Sequence, residues 1–410
     1  MKTAKQILLL VLLLTFANNI YAQWTITLGP GTANGNTLYR VGETIYAGTD
    51  AGAYKSTNNG DNWILINNGF IGSSHGVRDF AYTNQKLWCA AFGSGLYFST
   101  DNGNNWNREY GNLTNGTSVK VTASNSQYVY RNDNSGWIHW TTNNGSNWTI
   151  MSQGNYPYGP NSLIINDNLL YAGDYDGFHW SILGGTSWTR VNGNLTGDAI
   201  RINKLKYANN KIYIATRAGI WSSTNTGINW TNLNLALSTV AINTLSVLDQ
   251  NIFIGTSDNL YLSINDGNNW NSIYLGLPTS TTITSIAYNS NYLFVMLQTG
   301  IVYRRPLSDF GIIGIQSISS EVPDNYHLSQ NYPNPFNPTT NINFNVPKSG
   351  FVKITVYDIN GREISMPVNQ EMTPGSYKVD FDGSSLSSGI YYYTMTGGDF
   401  AETKKMMLVK

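Results

Sequence analysis

One eight-residue phrase recurs along the first two thirds of the chain, and it constrains the fold more than any other feature. Five copies read S/T-x-N/D-x-G-x-N-W and a sixth is degenerate. They begin at Ser56, Ser99, Thr141, Ser181, Ser223 and Ser263, so successive starts are 43, 42, 40, 42 and 40 residues apart. Because a short alternating strand precedes each copy, this period predicts a propeller array and not a helical solenoid.

Each position of the phrase has a physical role in a turn between two strands. The third-position Asn or Asp can accept hydrogen bonds from backbone groups of the turn. The fifth-position Gly supplies a positive φ, and the Trp starts the next strand and can pack beneath the turn. These positions predict structural roles for Ser56, Gly60, Trp63, Ser99, Asp101, Gly103, Trp106, Gly145, Trp148, Gly227, Trp230, Gly267 and Trp270.

The phrase resembles the Asp-box, or BNR, repeat of sialidases, sortilin-type receptors and many bacterial exoproteins. It departs from that family by carrying Asn in place of the usual Asp at Asn58, Asn143, Asn225 and Asn265, and by Leu183 in the degenerate copy. An Asn side chain can still bond to the turn, whereas Leu cannot. We therefore expect the fourth turn to be looser than the others.

A hairpin precedes every phrase, and a seventh hairpin that begins with residues 292–297 has no phrase after it. Its missing strand is at the other end of the mature chain, because residues 23–28 resemble the strands that follow the phrase. Ring closure of this kind removes an exposed sheet edge. The sequence thus predicts an all-β fold, in which residues 23–306 form a seven-bladed β-propeller with the N-terminal strand closing the last blade.

The N-terminus predicts a signal peptide over residues 1–22, with Lys2 and Lys5 before the apolar run 7–16. That run is too short to span a bilayer comfortably. The single cysteine, Cys89, excludes a disulfide within the chain, and its apolar neighbours predict a buried strand position. Charged residues make up 12% of the chain and the net charge is zero, which argues against electrostatic capture of nucleic acid.

Composition shifts near residue 307, where residues 307–327 are predicted to form a linker and residues 328–410 a small Ig-like β-sandwich. The proline-rich stretch 332–338 cannot lie in a central strand, and we expect it to act as a stiff spacer. The Asn360-Gly361 pair predicts a hairpin turn. Five strands are expected here, over residues 340–346, 351–358, 376–381, 390–396 and 403–409.

This second region resembles the type IX (type A, Por) secretion sorting domain of Bacteroidetes-type bacteria. The resemblance rests on residues 331–338, 352–361, 388–391 and 404–410. It implies that the type IX translocon and its sorting peptidase act on residues 328–410. It also implies a secreted or outer-surface location in a Gram-negative bacterium. We expect a monomer that does not span a membrane.

No zinc-ligand spacing, nucleophile elbow or phosphate loop occurs, so the sequence predicts neither a metal nor a cofactor. In a propeller the phrase turns lie on one face, and ligands usually bind on the opposite face, near the channel. Residues expected on that opposite face are His75, Arg78, Asp133, Tyr156, Tyr158, Asp174, Tyr175, Asp176, Arg217 and Asp258. Asp174 and Asp176 are weak candidates for a catalytic pair.

Three functions remain open at this point. The first is a secreted or cell-surface binding propeller for a glycan or protein ligand. The second is a glycoside hydrolase acting on extracellular polysaccharide, and the third is a structural component of a surface complex. Two carboxylates about 5–10 Å apart in one pocket would indicate the hydrolase, and exposed aromatic rings on one face would indicate binding.

Overall fold

A computed structural model describes residues 24–31, 33–71, 75–109, 119–133, 136–151, 159–233, 237–310, 312, 315–319, 321–383 and 386–410. Within these ranges regular structure is almost entirely β, with short 3-10 helices at Gly197–Ile200 and Leu307–Phe310. The predicted all-β class is therefore confirmed. The predicted signal peptide lies outside the described residues.

The first region consists of seven four-stranded antiparallel sheets among the residues described between 24 and 306. Six sheets take four consecutive strands each, β2–β5 through β22–β25, and the seventh combines β26–β28 with β1. The strands are β1 (Thr25–Ile26), β2 (Gly35–Val41), β3 (Thr44–Thr49), β4 (Gly52–Ser56), β5 (Ile64–Leu65), β6 (Val77–Thr83), β7 (Lys86–Ala91), β8 (Gly95–Ser99), β9 (Asn107–Glu109), β10 (Val119–Ser124), β11 (Val129–Asp133), β12 (Ile138–Thr141), β13 (Thr149–Ile150), β14 (Ser162–Asn166), β15 (Leu169–Gly173), β16 (Phe178–Ile182), β17 (Thr189–Arg190), β18 (Ile202–Ala208), β19 (Lys211–Thr216), β20 (Gly219–Ser223), β21 (Thr231–Asn232), β22 (Thr244–Leu248), β23 (Asn251–Gly255), β24 (Leu260–Ser263), β25 (Asn271–Ser272), β26 (Ile283–Tyr288), β27 (Tyr292–Leu297) and β28 (Val302–Pro306).

The seven sheets are arranged in a closed cycle. Their first strands contact one another in the order β2, β6, β10, β14, β18, β22 and β26, and β26 contacts β2 again. All seven first strands line one axial cavity of about 270 Å³, which we call the channel. This is the arrangement of blades around the axis of a β-propeller.

An asparagine at or just before the first strand links several neighbouring sheets around the channel. Asn36 Nδ2 donates to the Val77 carbonyl, Asn161 Nδ2 to Ile202 and Asn203 Nδ2 to Ile242, each at 2.9 Å. These bonds satisfy backbone carbonyls where one sheet faces the next. They fasten sheets that otherwise meet through apolar side chains.

The N-terminal strand closes the cycle, as the sequence predicts. β1 pairs with β28 in the register Thr25 with Arg304 and Ile26 with Tyr303. The Trp24 side chain is buried, and its Nε1 donates to the Ile273 carbonyl at 2.8 Å. The chain start is thus held by both backbone and side-chain bonds.

The antiparallel order gives the seven sheets two distinct faces. Turns between third and fourth strands, which contain the repeated phrases, lie on one face, here called the phrase face. Turns between second and third strands lie on the other face, with the crossovers that lead to the next sheet; we call this the crossover face. Backbone bonds join these turns to the crossovers, from Phe92 N to the Gly76 carbonyl at 2.7 Å and from Arg217 N to the Arg201 carbonyl at 3.1 Å.

The second region is a pair of four-stranded sheets that share one apolar core. One sheet has the order β29-β34-β31-β30 and the other β33-β32-β35-β36. The strands are β29 (Ile315–Ser319), β30 (His327–Leu328), β31 (Thr339–Val346), β32 (Gly350–Tyr357), β33 (Glu363–Met372), β34 (Gly375–Asp382), β35 (Gly389–Gly397) and β36 (Phe400–Leu408). The five strands expected from the sequence are present, and a hairpin turn occurs at Asn360-Gly361, where Gly361 N donates to the Asp358 carbonyl.

The segment 307–327, expected to be a linker, takes part in both regions. Leu307 and Ile312 are buried in the core that contains Trp24. β29 then adds to the C-terminal sheet by pairing Ile315 with Val379. Residues 315–319 include two isoleucines and no glycine or proline, which suits an edge strand better than a free connection.

The expectation that the proline-rich stretch is a spacer is wrong. Phe336, at its centre, is buried against the C-terminal core, and its backbone bonds to both Met407 and Val409. Asn331 is also buried, and its Nδ2 donates to Thr340 Oγ1 at 2.9 Å. The prolines therefore shape a segment that packs on its own sheets.

A cleft of about 900 Å³ separates the two regions. On one side it is lined by Arg40, Asp249 and Tyr288 of the phrase face, and on the other by residues 363–367 and 369 of β33. The C-terminal region thus adjoins the phrase face. The crossover face points the opposite way.

Candidate ligand-binding face

The repeated phrases form turns that close on themselves. In five copies the first-position hydroxyl accepts the backbone N–H of the phrase glycine, as Ser56 Oγ does from Gly60 at 2.8 Å. The third-position side chain accepts the N–H of the seventh residue, as Asn58 Oδ1 does from Asn62 at 3.0 Å. The predicted role of the third position is therefore confirmed, for Asn as well as for Asp101.

The fourth turn, which carries Leu183 and was expected to be looser, has a different set of hydrogen bonds. Ser181 Oγ donates to the neighbouring Ile182 carbonyl instead of to a third-position oxygen. Gly184 N donates to the Tyr130 hydroxyl of the preceding sheet at 2.8 Å. The turn is held from outside because its own third residue offers no acceptor.

The phrase tryptophans belong to the cores between sheets. Trp106, Trp148 and Trp230 are buried, and Trp106 Nε1 donates to the Ile66 carbonyl at 2.6 Å. Trp63 and Trp270 are partly exposed, yet Trp63 Nε1 donates to Thr27 Oγ1 at 3.0 Å and Trp270 Nε1 to the Leu233 carbonyl at 3.2 Å. These rings pack in the cores or hydrogen-bond to neighbouring segments, so they do not form a flat exposed surface on which a sugar could stack.

Arg78 and His75 lie at the crossover into the second sheet. Arg78 forms an ion pair with Asp50 at 3.1 Å and donates to Asn36 Oδ1 at 2.5 Å. Its guanidinium also lies 4.9 Å from the centre of the Phe92 ring. The His75 ring lies 6.0 Å from that of Phe70.

Asp174 and Asp176, the candidates for a catalytic pair, both make local contacts on the crossover face. Asp174 is fully buried, and its Oδ1 accepts the backbone N–H groups of Asp176 and Gly177 at 2.7 and 2.8 Å. Asp176 forms an ion pair with Arg190 at 3.0 Å. Asp174 therefore stabilises the turn between the second and third strands, and the Asp176 carboxylate is held by Arg190.

Other described aspartates on this face are also engaged. Asp198 pairs with Arg201 at 3.4 Å, and Asp258 accepts the Thr256 hydroxyl at 3.0 Å. Among the described residues no group of three His, Cys, Asp or Glu side chains could hold a metal ion. Of the remaining sequence candidates, Tyr156 and Tyr158 lie outside the described residues, and Asp133 is described only as the end of β11.

Tyr175 and Arg217 are brought together by neighbouring sheets. Tyr175 lies on the turn between β15 and β16 and is 45% exposed. The Arg217 guanidinium, from the turn between β19 and β20, lies 4.7 Å from its ring centre. This contact keeps the ring in place and presents a cation beside it.

The sequence reasoning missed two aromatic residues on equivalent turns. Phe92 lies between β7 and β8, and Trp137 between β11 and β12; they are 43% and 37% exposed. Together with Tyr175 they place one exposed aromatic ring on the second-to-third-strand turn of three consecutive sheets. We call this set, Phe92, Trp137 and Tyr175, the aromatic arc. The rings stand at different offsets from the turn glycines Gly95, Gly136 and Gly177, so aligning the turns in sequence does not show the pattern.

Comparison with known proteins defines the class of each region. Residues 330–410 match the secretion system C-terminal sorting domain family. The resemblance to a type IX sorting domain is thus confirmed, and it implies export to the cell surface or the medium. A search of the curated proteins finds no match to the chain. No helix among the described residues is long and apolar enough to cross a membrane.

Solved β-propellers resemble the chain as a whole. YCF48 from Cyanidioschyzon merolae matches with a TM-score of 0.57 at 15% identity, covering 70% of this chain and 99% of YCF48. PorZ, an essential surface component of the type-IX secretion system of Porphyromonas gingivalis, matches with a TM-score of 0.52 at 17% identity. The match covers 91% of this chain and 59% of the PorZ chain. The extracellular domain of BT4673 from B. thetaiotaomicron matches with a TM-score of 0.58 at 11% identity. That match covers 94% of this chain and 59% of the BT4673 chain. Identities this low show the fold alone, which is a propeller.

Proposed function

We propose that this chain is an exported binding protein whose propeller holds an extracellular glycan on the crossover face. In this proposal residues 23–306 form seven blades with Asp-box turns, like those of sialidases and sortilin-type receptors. The C-terminal region is an Ig-like sorting sandwich that begins at β29, and the exported protein is a monomer. The aromatic arc is the observation that carries the proposal.

The arc suits a sugar chain for two reasons. Aromatic rings offer flat apolar surfaces with a negative face, against which the C–H groups of a sugar ring can pack. The Arg217 guanidinium lies over the Tyr175 ring, and Arg217 is itself exposed. Its N–H groups can therefore donate to hydroxyl or carboxylate oxygens. Three rings on successive turns give an extended platform, which fits a chain of sugars better than a single one.

A glycan array probed with the purified protein, followed by calorimetry on each hit, tests the proposal. Trp137→Ala and Tyr175→Ala should each weaken binding by about tenfold or more, since anchoring aromatic residues typically contribute 2 kcal/mol or more. Tyr332→Ala is the matched control, because Tyr332 is an exposed aromatic residue of the C-terminal region. Equal affinity of all three variants and the wild type would refute the glycan proposal.

A polypeptide ligand is the second candidate, and one observation favours it. Ile71 is 54% exposed on the same face, and its carbonyl accepts the Ser94 hydroxyl at 3.4 Å, beside Phe92. An exposed aliphatic side chain whose backbone contacts the turn that carries Phe92 favours apolar side chains of a peptide over sugar hydroxyls. YCF48 has been solved bound to a D1 peptide. Binding on a peptide array that Ile71→Ser abolishes and Trp137→Ala leaves intact would select this candidate.

A further inference from the structure

The channel contains an unbalanced set of charges. Lys204 and Lys206 lie two positions apart on β18, so they fall on the same side of that strand. Asp79 lies on β6 and lines the same cavity. The other described lining residues are uncharged, which leaves one positive charge without a partner in a protein-lined space.

The surroundings of these groups show that the charges interact. Burial raises the pKa of Asp79, and Lys204, the Thr122 and Phe80 N–H groups and Lys206 act to lower it. Burial also lowers the pKa of Lys206, as does Lys204, and Asp79 opposes the shift. The Lys206 side chain is exposed to the space of the channel. An anion placed there would relieve the repulsion between the two lysines.

Hydroxyl groups that line the same channel are free to donate to such an anion. Ser162 Oγ accepts Leu205 N at 3.1 Å and Ser285 Oγ accepts Leu38 N at 2.9 Å, bonds that leave each hydroxyl proton available. Thr122 is buried, and its Oγ1 has no hydrogen-bond partner among the described residues. A buried hydroxyl without a partner costs stability unless something in the channel satisfies it.

We propose that the channel is a binding site for a small oxyanion, held by the ammonium groups of Lys204 and Lys206 and by the hydroxyl of Thr122. The volume of about 270 Å³ accommodates a tetrahedral or carboxylate anion together with water. The same chemistry serves a free inorganic anion and the carboxylate of an acidic sugar. This site is separate from the aromatic arc, and its existence does not depend on the glycan proposal.

Isothermal titration calorimetry of the full chain with sodium phosphate, sodium sulfate and sodium glucuronate, against a sodium chloride baseline, tests this site. Lys206→Met and Lys204→Met should each weaken binding about tenfold or more, since a charged hydrogen bond contributes roughly 1.5–3 kcal/mol. Asp79→Asn should tighten it, because the amide removes a negative charge and keeps an oxygen for Thr122 N. Lys378→Met, in the C-terminal sheet, should leave it unchanged.

The opposite signs expected for the lysine and aspartate variants separate a binding site from a structural role. Tight phosphate or sulfate binding identifies a free inorganic anion as the occupant, and preference for glucuronate identifies a sugar carboxylate. Circular dichroism confirms that each variant is folded before titration. If all three anions fail to bind the wild type, or if Lys206→Met and Asp79→Asn change the affinity in the same direction, the site is refuted.

Discussion

At the residue scale, the repeated turn depends on two successive residues with positive φ. The phrase glycine is one of them, with φ of 85° at Gly60. The residue before it is the other, with φ of 58° at Asn59 and 57° at Thr226. The glycine was predictable because it is invariant among the copies. The residue before it varies between Asn, Asp and Thr, so only the backbone shows its conformation.

Asp101 is the one ionisable third-position residue in the repeated turns. Bonds from the Asn105 side chain, the Asn105 N–H and the Ser99 hydroxyl lower its pKa from 3.8 to about 2. A carboxyl with a lowered folded-state pKa stabilises the fold above pH 3.8 and loses that contribution as pH falls toward 2. We expect Asp101→Asn to be less stable than wild type at pH 6 and equal to it near pH 2. Urea unfolding at a series of pH values measures this, and a difference that stays constant over the range would contradict it.

The tryptophan of the same turn supports the core. We expect Trp106→Ala to lower the free energy of unfolding by about 3–5 kcal/mol, because a large buried ring is replaced by a cavity. Trp63→Ala, at a partly exposed equivalent position, should cost less. Denaturant titration followed by circular dichroism compares the two. Equal losses of unfolding free energy in the two variants would show that burial of the ring does not determine the destabilisation.

At the scale of elements, strands were predictable where side chains alternate, and less so elsewhere. β33 was missed because Pro367 and the polar residues after it argue against a strand. The structure accommodates Pro367 because β33 is an edge strand, where a missing N–H breaks no internal ladder. The asparagine bonds between sheets and the aromatic arc were also missed. Both depend on which turns meet across neighbouring sheets, and a linear pattern of residues does not record that.

The N-terminal strand is the element whose removal is most informative. Deleting residues 23–29 removes β1, the buried Trp24 ring and the Thr27 hydroxyl that bonds to Val302 and Trp63. We expect a loss of about 3–5 kcal/mol from the tryptophan alone, together with an exposed edge on β28 that favours association. Thermal unfolding and light scattering measure the two effects. A deletion variant that unfolds at the same temperature as the wild type and scatters no more light would show that β1 does not stabilise the ring.

At the scale of the whole molecule, the two regions are folded around separate cores. The first-region core that contains Trp24 takes in Leu307 and Ile312, and the strand that follows, β29, already belongs to the C-terminal sheets. The boundary therefore falls near residue 312, after the composition shift near residue 307 and before residue 328, where the second region was predicted to begin. A composition shift marks where the repeats end, whereas the boundary is set by which core buries each side chain.

This boundary sharpens the test of export. A chain cut after Ile312 keeps all seven sheets of the first region and loses the sorting domain. We expect it to fold and to remain in the periplasm of a type IX-competent host.

An inert reporter fused to residues 313–410 carries all eight C-terminal strands and should reach the surface or the medium. A fusion to residues 322–410 lacks β29, so its sorting domain should be less stable. Fractionation and immunoblotting locate each product, and a host without the translocon should retain the reporter. Release of the truncated propeller at normal levels would show that the C-terminal region is not what exports this protein.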